Sequence, residues 1–324
     1  MVSPQASLLR RLSLSFLLLF GVVRLTAQTS QGLQLLNQGR VDEAAGVLSS
    51  TLAQQPHDAF AHQLLCRVYY AQDLGDAAVR ECEQATQDDA SNSANWLWLG
   101  RAYGMKASQV NMLTAFGVAR KVRAAFERAV QLDPANVGAT SDLGQFYVAA
   151  PAIVGGGTDK AEKLTGSLMA RSPARGHRLL GQIAAKKDDL STAEAEFKNA
   201  VTSGKNPDAW VDLGLFYQQH GQPDKAVAAL KSSIEANRKK TSALVDVASI
   251  LTDLNRLPDV AEKCLRDYLA SSAKTDDAPV FKVHLQLGDL LKRRGDMAGA
   301  KREYDAALAL ASKYAPAVKA AQGT

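Results

Sequence analysis

The sequence predicts an all-α protein built from stacked helical hairpins, and three observations support this fold class. Aromatic residues make up only 6% of the 324 residues, a balance that favours helices over sheets. A small residue recurs along the chain at steps close to 34, and one short helical motif occurs twice in phase with it. Such self-similarity predicts one elongated repeat array rather than two unrelated globular domains.

The N-terminal segment, residues 1–27, resembles a secretory signal peptide. Arg10 and Arg11 precede the apolar run Leu12–Val23, and small residues end at Ala27. The run is shorter than the ~20 apolar residues that a membrane span needs. We therefore expect residues 1–27 to be cleaved after Ala27 and the mature protein to be periplasmic or secreted. An N-terminal membrane anchor that stays uncleaved is the alternative.

The charge of the remaining chain argues against a nucleic-acid partner. Residues 1–27 hold three of the 38 basic residues and no acidic one, which leaves 35 basic against 33 acidic residues. A nearly neutral chain lacks the basic face that nucleic acid requires. We expect contact with a membrane only through the transient signal segment.

The repeated motif W-x2-L-G-x2-Y places four residues on one helix face. Its first copy is Trp96, Leu99, Gly100 and Tyr103, and its second copy is Trp210, Leu213, Gly214 and Tyr217. Offsets of 0, 3, 4 and 7 lie on one side of a helix, and the small residue lets a partner helix approach closely. The small position recurs at Gly32, Cys66, Gly100, Gly144, Gly181, Gly214, Ala248 and Gly288.

These motifs resemble the tetratricopeptide repeat family, whose period is 34 residues. The resemblance implies a right-handed α-solenoid of about eight helix-turn-helix repeats over residues 28–324, with insertions near residues 104–117, 149–160 and 270–280. The second helix of the repeat that holds the first insertion is expected to start early and protrude. A short helix opened by Pro316 is expected to cap the exposed C-terminal end of the stack.

The resemblance also implies that the first helices line a concave groove that binds an extended peptide or protein. The candidate groove residues are Gln63, Arg67, Tyr70, Arg101, Gln145, Arg178, Gln182, Asp212, Gln218 and Asp289. The arginines are expected to make the first half of the groove basic and the aspartates to make the second half acidic. A graded groove of this kind suits an extended peptide or an acidic chain end.

These features favour a non-enzymatic interaction scaffold in the cell envelope. One alternative is a module that binds an envelope polysaccharide or peptidoglycan, with Tyr70 and Trp98 as aromatic platforms. Another is an enzyme that uses the insertions. No catalytic motif occurs, and the five histidines have no Cys or His partner at metal-ligand spacing. No catalytic residue, metal or cofactor is therefore predicted, and the partner's identity and the oligomeric state stay open.

Two smaller features have competing interpretations. The run Gly155–Gly157 stands before a helix and could offer backbone N–H groups to an anion, but the spacing is not that of a Walker loop, so a flexible connector is favoured. Cys66 and Cys82 point into one repeat at unequal distances from its turn. That offset favours free thiols over a disulfide, which needs Cα atoms within about 7 Å. Cys264 is expected to be a buried apolar residue.

Overall fold

The computed structural model describes residues 28–323 and confirms the all-α fold class. Within this range there are helices and one short 3-10 turn, Ala152–Val154, but no β-strand. The predicted signal segment lies outside the described residues. None of the helices described is both long enough and apolar enough to cross a lipid bilayer.

Between residues 28 and 323, sixteen helices form eight consecutive hairpins, and a seventeenth helix follows them. The first helices are α1 (28–37), α3 (Ala59–Ala71), α5 (Ser93–Gln109), α7 (Val137–Ala149), α9 (Pro173–Lys186), α11 (Pro207–Gln219), α13 (Ala243–Asp253) and α15 (Val280–Arg293). The second helices are α2 (Val41–Gln54), α4 (Gly75–Asp88), α6 (Met112–Leu132), α8 (Thr158–Arg171), α10 (Leu190–Gly204), α12 (Pro223–Ala236), α14 (Pro258–Ala270) and α16 (Met297–Leu310). The last helix is α17 (Ala315–Gln322).

Local sequence signals mark the ends of these helices. The carboxylate of Asp58 accepts hydrogen bonds from the backbone N–H groups of Phe60 and Ala61, both at 3.0 Å, and so satisfies two donors that the first turn of α3 leaves unpaired. The turns within three hairpins each contain a glycine whose φ is positive. These glycines are Gly39 at +74°, Gly221 at +68° and Gly295 at +85°.

In most hairpins the small residue of the first helix packs against a larger side chain of its partner helix. In five of them the facing residue is 16 positions later in the sequence, as in Gly214 with Leu230 and Gly288 with Tyr304. A Cβ atom added to Gly288 would lie 2.4 Å from the ring of Tyr304, which is too close for any side chain. The small residue therefore sets the distance between the two helices of the hairpin.

Cys66 and Cys82 occupy this facing pair in the second hairpin, and they form a disulfide. Their Cα atoms are 5.3 Å apart. The prediction of free thiols was wrong, because register across the helix pair, and not distance from the turn, decides which residues face each other. Cys264 is a free, buried thiol, as expected. Burial raises its pKa to about 11, so it stays protonated at neutral pH.

The first two insertions are in contact with each other. The first lengthens the third hairpin, because α5 has 17 residues and α6 has 21, whereas the other helices of the eight hairpins have 10 to 15. This confirms that the second helix starts early. The second insertion is a connector between α7 and α8 that contacts α6. Gly155 and Gly157 adopt φ values of +96° and +148° there. The three-glycine run therefore allows backbone conformations that residues with a side chain rarely adopt.

The two ends of the array pack against each other. One apolar cluster contains Leu36 and Val41 from the first hairpin together with Phe281, Tyr314 and Ala317 from the last helices. All of these side chains are buried. The first hairpin therefore buries its outer apolar face against the last one, and the array closes on itself.

Polar contacts reinforce the seam between the ends. The backbone N–H of Ser312 donates to the Asp42 carboxylate at 2.7 Å, and the Tyr314 hydroxyl donates to Asp73 at 2.9 Å. Lys282 pairs with the same Asp73 at 2.7 Å. The last helix packs on α15 and α16 as a terminal helix should. The expectation that it closes an exposed end needs correction, because the first hairpin covers that end.

Candidate functional site on the concave face

The first helices present charged side chains to a common inner space. Asp277, which lies in the third insertion, interacts electrostatically with Arg101 on α5, Tyr70 on α3 and Asp246 on α13. Such interactions between distant hairpins require that these helices face one another across the array. The concave face is therefore a bowl, and not the open groove that a linear stack would give.

Each of the three predicted groove arginines lies against an aspartate of another repeat. Arg67 donates two hydrogen bonds of 2.8 Å to Asp276, which the third insertion brings across the seam. Arg101 donates to Asp142 at 2.7 Å. These pairs neutralise the basic half that the sequence predicted, because each guanidinium has its own carboxylate.

Two of these guanidinium groups also cover the aromatic ring of Trp98. The Cζ atoms of Arg67 and Arg101 are 5.0 and 4.7 Å from the ring centroid, within cation–π range. Tyr70 meets the same ring edge-on, with centroids 5.7 Å apart. The two aromatic residues proposed as sugar platforms therefore pack with each other and with arginines.

The remaining candidate residues divide into structural and pocket-lining groups. Gln63 is buried and donates to Asn95 at 2.7 Å, so it connects α3 to α5. Asp289 accepts a hydrogen bond of 2.8 Å from the hydroxyl of Tyr304 within its own hairpin. Gln145 and Gln182 line a cavity of about 290 Å³ between α7, α9 and α11. Gln218 is half-buried on α11.

An open, polar pocket lies in the second half of the bowl, between α9, α11 and α13. Its volume is about 300 Å³, and Arg175, Arg178, Asp208, Asp212 and Asp246 line it. The Nε atom of Arg178 is 3.0 Å from a carboxylate oxygen of Asp212. Within residues 28–323, Asp208 and Asp246 have no ion-pair partner of their own. Three carboxylates and two guanidinium groups therefore line the pocket, so carboxylates are in excess.

The protonation of two pocket carboxyl groups reflects this imbalance. Burial raises the pKa of Asp212 to about 6, although the adjacent Arg178 opposes the shift. The pKa of Asp246 is also raised to about 6. The main cause is desolvation by the protein that surrounds its carboxyl group, and the nearby carboxylates of Asp208 and Asp212 add to it. A cation placed here would restore the lost solvation and stabilise both ionised forms.

Family comparisons agree with this geometry. Residues 35–97 match one family model of the tetratricopeptide repeat, and residues 178–240 match another. These two segments are therefore similar to tetratricopeptide repeats. The first matched segment contains the disulfide-bonded hairpin. The second contains Arg178, Asp208 and Asp212 of the polar pocket, whereas Arg175 and Asp246 lie outside it. A comparison with curated protein sequences finds no match.

Solved structures are similar to this chain at low sequence identity. The structure of yeast Tom70 is 15% identical over 87% of this chain and 58% of its own, with a TM-score of 0.51. TTC0263, a thermophilic TPR protein of Thermus thermophilus, is 18% identical over 70% of this chain and 99% of its own, with a TM-score of 0.47. Human IFIT1, seen as a dimer with m7Gppp-AAAA, is 14% identical over 89% and 72%, with a TM-score of 0.46.

Six of the eight motif residues are buried in the repeats, whereas Trp96 and Trp210 are half-buried. Leu99 and Leu213 are buried, and Trp96 donates to the Ala90 carbonyl at 2.9 Å. The hydroxyl groups of Tyr103 and Tyr217 donate to Glu83 and Glu194 at 2.5 and 2.9 Å. These carboxylates on the preceding second helices were not recognised in the sequence. Their signal is a glutamate that precedes the tyrosine by 20 positions in one case and by 23 in the other.

Three histidines also serve the repeat architecture. His62, His177 and His284 each place Nδ1 at 2.7 to 2.8 Å from a glutamate 19 residues later. Each pair joins the two helices of one hairpin. Among the described residues, no group of three or more His, Cys, Asp or Glu side chains is arranged to hold a metal ion.

Proposed function

We propose that this chain is a non-enzymatic interaction scaffold whose concave pocket holds a basic segment of a partner protein. The observation that carries the proposal is the excess of carboxylates in the pocket of α9, α11 and α13. The carboxylates of Asp208, Asp212 and Asp246 outnumber the two guanidinium groups that line the same pocket, those of Arg175 and Arg178. An arginine, lysine or terminal ammonium group would supply the missing positive charge.

The shape of the bowl favours an extended polypeptide over a compact ligand. The acidic pocket is continuous with a face lined by first helices from several repeats. Tetratricopeptide repeat proteins generally bind protein or peptide partners, which agrees with a chain lying along that face. Phosphate-rich ligands are disfavoured, because carboxylates outnumber guanidinium groups in this pocket and the whole chain is nearly neutral.

The same contacts weigh against an acidic chain end as the ligand. Arg67 and Arg101 already contact Asp276 and Asp142. An incoming carboxylate would have to displace these aspartates, and Asp276 is nearly buried, with 8% of its side chain exposed. Recognition of a basic segment requires no such exchange.

The alternative functions receive less support from the geometry. A polysaccharide-binding site would use aromatic rings with free faces, whereas Trp98 is covered by two guanidinium groups. An enzyme that uses the insertions would need reactive groups there. The second insertion carries no charged residue between Ala149 and Thr158.

We further propose that the scaffold acts outside the cytoplasm, in the cell envelope or as a secreted protein. The order of charged, apolar and small residues in 1–27 is that of an export signal. The disulfide between Cys66 and Cys82 supports the proposal independently, since structural disulfides persist mainly in oxidising compartments. Peptide sequencing of the N-terminus of the mature protein tests it, and an intact Met1 on a cytoplasmic protein would contradict it.

The ligand proposal can be tested with three labelled peptides of equal length. One alternates arginine and serine, one alternates glutamate and serine, and one contains only serine and glycine. Fluorescence anisotropy at pH 7.5 should show binding of the arginine peptide alone. The variant Asp208→Asn/Asp246→Asn should bind it about tenfold more weakly, because the unpaired carboxylates are the attractive element.

A matched control separates the pocket from total charge. Asp188→Asn/Asp253→Asn removes the same charge from two exposed aspartates outside the pocket. This control should bind as the native chain does. Preference for the glutamate peptide, or equal weakening by both double variants, would contradict the proposed site.

A further inference from the structure

The first two of the three insertions build one projecting surface. The third hairpin is longer than its neighbours, so its turn at residues 110–111 stands out from the array by roughly 6 to 10 Å at a helical rise of 1.5 Å per residue. The connector between α7 and α8 packs against α6 at the base of this projection. Residues from both insertions therefore form a single apolar surface beside the array.

The outer part of this surface is apolar and strongly exposed. Met112 and Leu113 at the start of α6 have 75% and 85% of their surface exposed, and Ile153 in the connector has 68%. The next largest value among large apolar residues of the described chain is 46%, at Phe60. A shallow apolar cavity of about 310 Å³, lined by Met112, Phe116, Phe146, Pro151 and Val154 among others, lies between them. We call Met112, Leu113 and Ile153 the apolar tip.

Basic residues follow the α6 part of the apolar tip along the sequence, and no acidic residue lies between them and this part of the tip. From residue 90 to residue 126 the sequence contains no Asp or Glu. Lys106 pairs with Asp76, and Arg123 lies 3.6 Å from Glu127. Arg120 and Lys121 are exposed, and neither has a carboxylate partner within the part of the chain that the structure describes.

The spacing along α6 places these two charges behind the tip. Arg120 is seven residues after Leu113, so both lie on one side of the helix about 10 Å apart along its axis. Lys121 is the next residue of α6 after Arg120, and its Nζ atom lies 5.2 Å from the centroid of the Tyr103 ring. The axial separation is comparable to the depth of roughly 5–10 Å to which interfacial segments enter the headgroup region of a bilayer.

We infer that the apolar tip docks on an anionic lipid surface, with Met112, Leu113 and Ile153 entering the interface and Arg120 and Lys121 contacting the headgroups. The choice of occupant follows from charge and shape. A second copy meeting this surface across a two-fold axis would bring like charges together. A projecting convex tip also lacks the groove that an amphipathic peptide would need. This surface is separate from the concave pocket and goes beyond the scaffold function.

Vesicle flotation tests the inference with residues 28–324, which contain every helix and apolar cluster described above. The probes are vesicles of phosphatidylcholine alone and of phosphatidylcholine mixed two to one with phosphatidylglycerol. The native sequence should float with the anionic vesicles and remain unbound with the neutral ones. Met112→Ser/Leu113→Ser should lower the bound-to-free ratio about tenfold or more, because large apolar side chains lose their transfer free energy. Arg120→Gln/Lys121→Gln should lower it by several-fold and flatten its dependence on salt.

Matched variants exclude nonspecific effects. Leu190 and Met297 also begin helices and are 40% and 43% exposed, so Leu190→Ser/Met297→Ser should float like the native chain. Arg238→Gln/Lys239→Gln removes two positive charges from exposed residues outside the tip. This charge control should also float like the native chain. Circular dichroism melting should show that all variants fold alike.

Three results would overturn the inference. The native chain could fail to float with anionic vesicles, or the tip variant could float as well as the native chain. Sedimentation velocity could show instead that the native chain self-associates through the tip and that Met112→Ser/Leu113→Ser alone abolishes it. That last result would assign the tip to a second copy of the chain.

Discussion

Arg67 on α3 and Arg178 on α9 both lie on the concave face beside an aspartate, yet their surroundings differ. Arg67 makes two well-aligned hydrogen bonds to Asp276, and 15% and 8% of the two side chains are exposed. Arg178 lies 3.0 Å from Asp212, but its Nε atom makes no aligned hydrogen bond, and further carboxylates surround the pair. The first pair completes the seam, whereas the second leaves charge available for a ligand.

This difference shows how one repeat surface can serve two purposes. Near the seam, the third insertion supplies the carboxylate that the repeat itself lacks, so the ends of the array are held together. In the pocket no insertion supplies a cation, so the carboxylates stay in excess. Paired charge therefore marks the structural half of the bowl, and unpaired charge marks the half proposed to bind.

The largest effect is expected at the seam. Arg67→Ala should lower the free energy of unfolding by about 3–5 kcal/mol, because it leaves the nearly buried Asp276 carboxylate without a partner. Arg178→Ala should cost clearly less, since its pair is more exposed. Urea denaturation measures both, and small-angle X-ray scattering should show an increased radius for Arg67→Ala alone. Equal costs would remove the distinction between the two halves.

Loss of the disulfide should lower the free energy of unfolding somewhat less than Arg67→Ala does. Cys66→Ala/Cys82→Ala removes a cross-link that closes a loop of 16 residues, which is expected to cost about 3 kcal/mol. Thermal denaturation with and without reductant measures this. Reductant should destabilise the native chain and leave the double variant unchanged, and a native chain insensitive to complete reduction would refute the contribution.

The binding half should respond to pH. The pKa values of Asp212 and Asp246 are raised to about 6, so lowering the pH from 7 to 5 protonates the carboxyl groups that attract a cation. Affinity for the arginine peptide should fall about tenfold, or about 1.4 kcal/mol. Anisotropy titrations across this range measure it. Asp212→Asn/Asp246→Asn removes both of these carboxyl groups and should bind weakly at both pH values, and a pH dependence retained in that variant would place the titrating group elsewhere.

The smallest effect concerns stability in the same pocket. The folded state keeps a proton on Asp246 up to about pH 6, whereas the unfolded chain releases it near pH 4, so ionisation between these values disfavours folding. Asp246→Asn should therefore be more stable than the native chain at pH 7, by at most about 1 kcal/mol because solvent screens the exposed group. The two unfolding curves should converge near pH 4, and a variant less stable at pH 7 would contradict this origin.

The sequence by itself determined the repeat architecture. The spacing of Gly100, Gly214 and the other small residues follows from helix geometry, and most of these residues meet the partner helix at one fixed register. The early start of α6 was also readable, because apolar residues continue at helical spacing through the first insertion. These features depend on local contacts, which are encoded within one hairpin and its immediate neighbours.

Only the tertiary structure decided the disulfide, the seam and the pocket. Cys66 and Cys82 carry their pairing signal in the recurring 16-residue register, which distance from the turn concealed. Arg67 and Asp276 are 209 residues apart, and their contact arises from the summed rotations of all the hairpins between them. A small rotation at each repeat decides whether the ends meet, and with it which charges find partners. The pattern of one repeat cannot specify that sum.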